Sequence, residues 1–256
     1  MTFLMETAHI VIHPDYQHHA DFLRTLPKNF EGQGEVIHSG RNTVKRIVHG
    51  GQVFIVKRYK RPLWFQRLAY SFVRPTKARR AYEYALRFLQ LGIATPFPVA
   101  YMESYRSGLF LQGYFVSEED VRPSCMPFSR GVEPMSDRMV DALAAFLWQL
   151  HRLGVLHGDL NMGNILYEEG DGDKVCFSLI DINRSRFVKG LPTYKETIAN
   201  LWRLTHNRDL GRRVFAAYAR LRGWDEDVFV MDLLRRIGHQ EKKKKLRKRV
   251  FHPFIL

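Results

Sequence analysis

Three polar residues stand at a spacing that phosphoryl transfer can use: Asp159, Asn164 five residues later, and Asp181 at the end of the apolar run Leu179-Ile180. Moving a phosphoryl group needs a carboxylate to take the proton of the attacking hydroxyl and oxygen ligands to hold metal on the phosphates. Asp159 suits the first task, as catalytic base. Asn164 and Asp181 suit the second as metal ligands, because Mg²⁺ takes hard oxygen donors. An isolated Asp and Asn at this spacing can equally satisfy hydrogen bonds in a turn, so the surrounding residues carry the argument. They are Val155-Leu156-His157-Gly158-Asp159-Leu160, then Asn161-Met162-Gly163-Asn164-Ile165-Leu166. His157 reads as a scaffold for this loop and His151 as a helix-face residue.

The elements that must position these groups fall into two parts. Residues 35–38, 44–48 and 53–59 are strand candidates, separated by Gly40 and by Gly50-Gly51. Strands around 99–103 and 109–117 follow two helices. The first helix, 62–73, has Trp64, Phe65, Leu68 and Phe72 at helical spacing; the second runs from the N-cap candidate Thr76 to Leu91, with Gly92 as its stop. Beyond them the pattern turns helical. Ser136 can cap a helix with the stripe Met139/Val140, Leu143, Phe146/Leu147 and Leu150, and further helices fit 195–204, 210–221 and 228–237. The expectation is an α+β chain with a β-rich N-lobe at 1–117, a helical C-lobe at 118–238 and a basic tail at 239–256.

The N-terminal part offers the groups that would hold a nucleotide. Lys57 ends a β-branched strand, where the kinase resemblance set out below would imply a lysine on the α- and β-phosphates of ATP. Glu83 lies in the next strong helix and is the expected partner of Lys57. Arg79 and Arg87 flank it at i−4 and i+4 and offer ordinary surface pairs instead. Ser39, Gly40, Asn42 and Thr43 sit between two strands, either as a phosphate-covering loop or as a plain hairpin turn.

Composition narrows the partners. The net charge of +14 favours polyanions such as nucleic acid, an anionic membrane surface or phosphorylated substrates. Much of that charge lies in 58–87 and 235–249. No zinc, helix-turn-helix or RNA-stacking signature accompanies it, which argues against nucleic acid. No apolar run approaches the ~18 residues of a membrane span, and residues 1–12 lack the layout of a signal peptide. The two cysteines match no disulfide or metal framework, so a cytosolic setting is expected. The stretch 235–249 leads into the apolar end Val250-Phe251-His252-Pro253-Phe254-Ile255-Leu256. It reads either as a solvated tail or as a contact for an anionic bilayer.

His157-Gly158-Asp159-Leu160-x-x-x-Asn164 with Asp181-Ile182-Asn183 resembles the protein-kinase signature H-R-D-L-x-x-x-N with D-F-G downstream. Gly158 stands where protein kinases carry arginine, Asn161 stands where serine/threonine kinases usually carry lysine, and no Ala-Pro-Glu follows Asp181. These departures suit a kinase acting on a sugar or small molecule. Over roughly 34–187 the chain resembles the bacterial lipopolysaccharide kinases of inner-core sugars, the 3-deoxy-D-manno-octulosonic acid (Kdo) kinases and heptose kinases. That resemblance includes Arg41-Asn42-Thr43, the Lys57 strand, Lys77-Ala78-Arg79-Arg80-Ala81-x-Glu83 and Gly92-Ile93-x-Thr95-Pro96. It implies a bilobal protein-kinase-like fold and transfer from ATP, with Mg²⁺, to a lipid-linked sugar at the cytoplasmic face of the inner membrane. No nucleic acid and no obligate protein partner are implied. The competing expectations are a soluble aminoglycoside- or choline-type kinase and a catalytically inactive kinase-fold binding protein.

Overall fold

Strand pairing starts earlier in the chain than the sequence patterns suggest. The computed structural model describes residues 6–170, 172 and 174–251, and β1 (Glu6–Ile12) already lies along the later strand 98–106, antiparallel, with Ile10 opposite Met102. The described residues divide into two compact units. One contains the chain up to Val121 together with Asp181–Asn183, and the other contains Arg122–Ile180 and the chain from Arg184 onward.

The first unit is built on a six-stranded antiparallel sheet. Its further strands are β2 (Glu35–Ser39), β3 (Thr43–His49), β4 (Gln52–Arg58), β5 (Pro98–Arg106) and β6 (Leu109–Glu118), in the order β1-β5-β6-β4-β3-β2. Two-residue turns close two of the hairpins. Gly50-Gly51 (φ 59° and 78°) joins β3 to β4, and Ser107-Gly108 (φ 51° and 75°) joins β5 to β6. Positive φ at both central residues gives a turn whose twist matches that of the flanking strands.

Strand alternation sends successive β4 side chains to opposite faces. Phe54 and Val56 meet Leu23, Leu26 and Phe30 from α1 (Ala20–Asn29) and the turn that follows it. Tyr59, on the opposite face, packs with Ala78 and Tyr82. A helix on each face thus fixes the rotation of β4. Lys45, only 4% exposed, closes the α1 end by donating to the carbonyls of Phe30, Glu31 and Gln33 at 2.6, 2.9 and 2.9 Å. A buried ammonium costs stability unless its donors are all used, and here three acceptors surround it. α2 (Trp64–Phe72) and α3 (Lys77–Gln90) follow β4. Thr76 caps α3 by accepting Arg79 N–H at 3.1 Å, and Gly92 (φ 72°) ends it.

The second unit is mainly helical. It comprises α4 (Met126–Arg130), α5 (Asp137–Arg152), β7 (Val155–Leu156), β8 (Ile165–Glu169), β9 (Val175–Leu179), β10 (Arg186–Phe187), α6 (Tyr194–Leu201), α7 (Arg208–Arg222) and α8 (Glu226–Phe251). Ser136 caps α5, accepting Met139 N–H at 3.2 Å. The α5 stripe Leu143, Leu147 and Leu150 is fully buried, and α5 packs on α7. The helix expected over 228–237 continues to Phe251. Phe229, Leu233 and Ile237 anchor it, Glu241 pairs with Arg208 at 3.3 Å, and the Lys/Arg run beyond consists of good helix formers. Residues 252–256, the end of the expected apolar terminus, lie outside the described residues.

Candidate active site

The loop after β7 holds Asp159 through a chain of local bonds. β7 pairs with β10, which fixes both ends of the segment. His157, 1% exposed, sits between two partners: its Nε2 stands 3.0 Å from Ile180 O, and its Nδ1 accepts Asp159 N–H at 3.3 Å. One tautomer, protonated at Nε2, satisfies both. Gly158 has φ 75°, and a Cβ there would stand 2.4 Å from Arg184 O. The arginine of the protein-kinase pattern therefore has no room, a steric reason for the departure at this position.

Asp159 and Asn164 are tied to one another. The Asn161 and Asn164 amides donate to Asp159 O at 3.0 and 2.9 Å, and Asn164 O accepts Ile180 N–H at 3.0 Å. The Asn164 NH₂ is spent on the loop, which leaves Oδ1 as the side-chain oxygen a metal could use. The Asp159 carboxylate meets two arginines absent from the sequence-based expectation. Arg184 Nη1 lies 2.9 Å from Oδ2, and Arg203 Nη1 lies 3.8 Å from Oδ1 with its guanidinium 4.4 Å over the Trp202 ring. Neither stands at a motif position; the only signal for them was the general excess of arginine.

In the first unit, Lys57 and Asp181 meet directly, Nζ to Oδ1 at 2.8 Å. Asn183 Nδ2 donates to the same Oδ1 at 2.6 Å. Asp181 has φ 57°, a left-handed backbone that a residue other than glycine adopts at some cost and that recurs at functional sites. Tyr59 lies beside the pair, with Lys57 Nζ 5.5 Å from its ring centre. Burial, and then the Asp181 charge, push its phenol well above the ordinary range.

The expected pairing of Glu83 with Lys57 is not what forms. Glu83 bonds Arg79 at 2.7 Å, one turn away on the same helix face, and both side chains are exposed. The i,i+4 neighbour is held within reach by the helix itself, and Lys57 is occupied by Asp181. The glycine-poor segment is the turn of the β2–β3 hairpin, with Ser39 opposite Thr43 and Gly40 N–H bonded to Asn42 O at 3.2 Å. Asn42 Oδ1 accepts Lys60 N–H at 3.1 Å, which fastens this turn to the residues following β4. Asn42 and Thr43 also line a cavity of about 350 Å³ with Arg41, Arg58 and Lys60.

Each unit contributes an oxygen donor of the kind that Mg²⁺ carried on a nucleotide takes. Asp181 and Asn164 offer hard oxygens, and among the described residues no group of three His, Cys, Asp or Glu side chains could hold a metal alone. Mg²⁺ is commonly held by one or two protein oxygens plus substrate phosphates.

A β-sheet unit with its strand lysine on an aspartate, and a helical unit with its Asp/Asn loop, define a protein-kinase-like phosphotransferase. The solved structure of WaaP in complex with acyl carrier protein has this fold. Its TM-score is 0.62 at 20% identity, covering 92% of this chain and 98% of that one. Residues 33–218 match the lipopolysaccharide kinase (Kdo/WaaP) family, and the chain belongs to that family. It is also similar to the 3-deoxy-D-manno-octulosonic acid kinase of Vibrio parahaemolyticus serotype O3:K6, 25% identical over 181 residues, 69% of this chain and 74% of that protein.

Proposed function

We propose that this lipopolysaccharide kinase uses ATP and Mg²⁺ to phosphorylate a hydroxyl of an inner-core sugar, Kdo or heptose, carried on a lipid A precursor. The observation that carries the reading is the Lys57–Asp181 pair in a chain that also holds Asp159 and Asn164 on one loop. Lys57 neutralises phosphate charge, and Asp181 with Asn164 holds the metal. Bound there, Mg²⁺ would offset charge developing on the phosphoryl oxygens. Asp159 accepts the proton of the acceptor hydroxyl. Its Arg184 partner, 2.9 Å from Oδ2, holds the carboxylate in orientation for that role.

The arginines also speak to the acceptor. A sugar acid or phosphorylated sugar brings negative charge to the base, and Arg203 with Arg184 would attract it. A cationic aminoglycoside or choline would meet repulsion at the same place. The enzyme then works as a peripheral protein on the anionic cytoplasmic face of the inner membrane, where such acceptors are lipid-anchored. ATP turnover with Kdo–lipid A, with an aminoglycoside, with choline and with a generic protein tests the reading, with mass spectrometry locating the phosphate. Phosphate on the core sugar is the expected result. Turnover on a soluble amine alone would overturn it.

A further inference from the structure

The short helix α2 is built inside out. At about 100° per residue, Trp64, Phe65, Leu68 and Phe72 share an arc of about 100°, and that arc faces solvent. Their exposures are 74, 51, 43 and 74%, and α2 buries none of its residues. The opposite face docks on the sheet through polar groups. Arg67 Nε donates to Phe110 O at 2.8 Å, Ser71 Oγ accepts Phe110 N–H at 2.8 Å, and the Tyr70 and Phe110 rings meet at 5.6 Å. Leu63 and Val73, flanking the helix, add 61 and 81% exposed apolar surface.

Charge says what covers this face. No Asp or Glu occurs between Glu35 and Glu83, while Lys60 and Arg61 precede the helix and Arg74 follows it. At its foot Lys60, Arg61 and Lys77 line a cavity of about 280 Å³ with Leu63, Gln66 and Tyr70. An aromatic stripe rimmed by cations has the character of an interfacial helix, with rings at the headgroup–acyl boundary and cations among lipid phosphates. No helix among the described residues is long and apolar enough to span a membrane.

We infer that α2 is the element by which this protein docks on an anionic phospholipid bilayer, with Trp64, Phe65, Leu68 and Phe72 inserted and the Lys60/Arg61/Lys77 cavity receiving a lipid headgroup phosphate. The inference rests on the lipid-linked acceptor proposed above, and it names the surface that brings the enzyme to it.

The triple variant Trp64→Ser/Phe65→Ser/Phe72→Ser tests it. These side chains are exposed, so the thermal midpoint should hold, and a second variant, Lys60→Gln/Arg61→Gln, removes charge alone. Partition onto phosphatidylglycerol vesicles should fall at least ~10-fold in the first variant. In the second it should fall on phosphatidylglycerol but not on phosphatidylcholine vesicles. In the triple variant KM for Kdo–lipid A should rise while kcat on a deacylated acceptor stays the same. Unchanged partition of the triple variant would overturn the docking surface. So would a parent that ignores vesicles but self-associates, or binds a purified acidic protein, through this face. Vesicle partition is read without turnover, so absence of kinase activity would defeat the proposed function and leave this result standing.

Discussion

Lys57 Nζ stands 2.8 Å from Asp181 Oδ1, and Asn183 Nδ2 holds the same oxygen from the other side at 2.6 Å. The pair joins a strand lysine to a residue that follows β9, at the cost of a left-handed backbone at Asp181 (φ 57°). The proposed function uses both charges at once: the ammonium on phosphate, the carboxylate on metal.

Asp181→Ala should therefore abolish stabilisation by Mg²⁺-ATP, whereas Asn164→Ala, which removes only a neutral ligand, should weaken it less. Thermal melting with and without Mg²⁺-ATP reads this. Equal melting shifts in the Asp181→Ala and parent proteins would remove Asp181 from the metal site.

Asp159→Asn keeps the size of the side chain and removes its proton affinity. General-base catalysis contributes ~10²–10⁴-fold, so kcat on Kdo–lipid A should fall by that order with nucleotide binding retained. Undiminished turnover in the purified variant would move the base elsewhere.

The Asp159 loop is braced from behind by Asn200. Its Oδ1 accepts Gly158 N–H at 3.1 Å, and its Nδ2 lies 3.0 Å from His151 Nε2, while His151 Nδ1 meets Tyr218 OH at 2.6 Å. Asn200→Ala strips a partner from the loop amide, costing about 1 kcal/mol or more, and should lower kcat more than it raises KM for ATP. Asn200→Asp retains an acceptor for Gly158 and should restore kcat. If neither variant changed kcat, the brace would be structural only.

The same network makes stability depend on pH. Burial, helped by the Arg222 charge, holds the His151 pKa down to about 3 from 6.5. The unfolded chain thus binds the proton more readily. The contribution of neutral His151 is complete above pH 6.5 and is lost as pH falls toward 3, at up to about 1.4 kcal/mol per pH unit. Urea unfolding between pH 5 and 7.5 should show a shallower pH slope in His151→Gln than in the parent. Identical slopes would refute the assignment.

Truncation after Gly238 removes most of the basic end of α8 but keeps its buried anchors Phe229, Leu233 and Ile237. The truncated protein should bind anionic vesicles less well, chiefly at low salt where charge attraction is unscreened. Binding equal to full length at every salt concentration would make the basic end a solvated one.

Much of the site was legible because it is local. The Asp159-x-x-x-x-Asn164 spacing, the strand ending in Lys57, the caps Thr76 and Ser136 and the stop at Gly92 all act within a few residues of their own position. What spacing left open was partnership. Glu83 had Arg79 and Arg87 within one helical turn and Lys57 only through the fold, and the helix neighbour won. Arg184, Arg203 and Asn200 carried no motif, since their roles follow from where loops and helices bring them. β1 lay outside the strand candidates as well, since its hydrogen bonds come from β5, more than eighty residues away.

α2 shows the division most plainly. The sequence determined that Trp64, Leu68 and Phe72 share one helix face, because 3.6-residue periodicity is a property of the backbone. It did not determine which way that face turns. The bonds of Arg67 and Ser71 to Phe110 decided that in the tertiary structure, putting the polar side on the sheet and the apolar side in water. Periodicity fixes a stripe relative to its own helix axis; only contacts with the rest of the molecule fix the rotation of that axis.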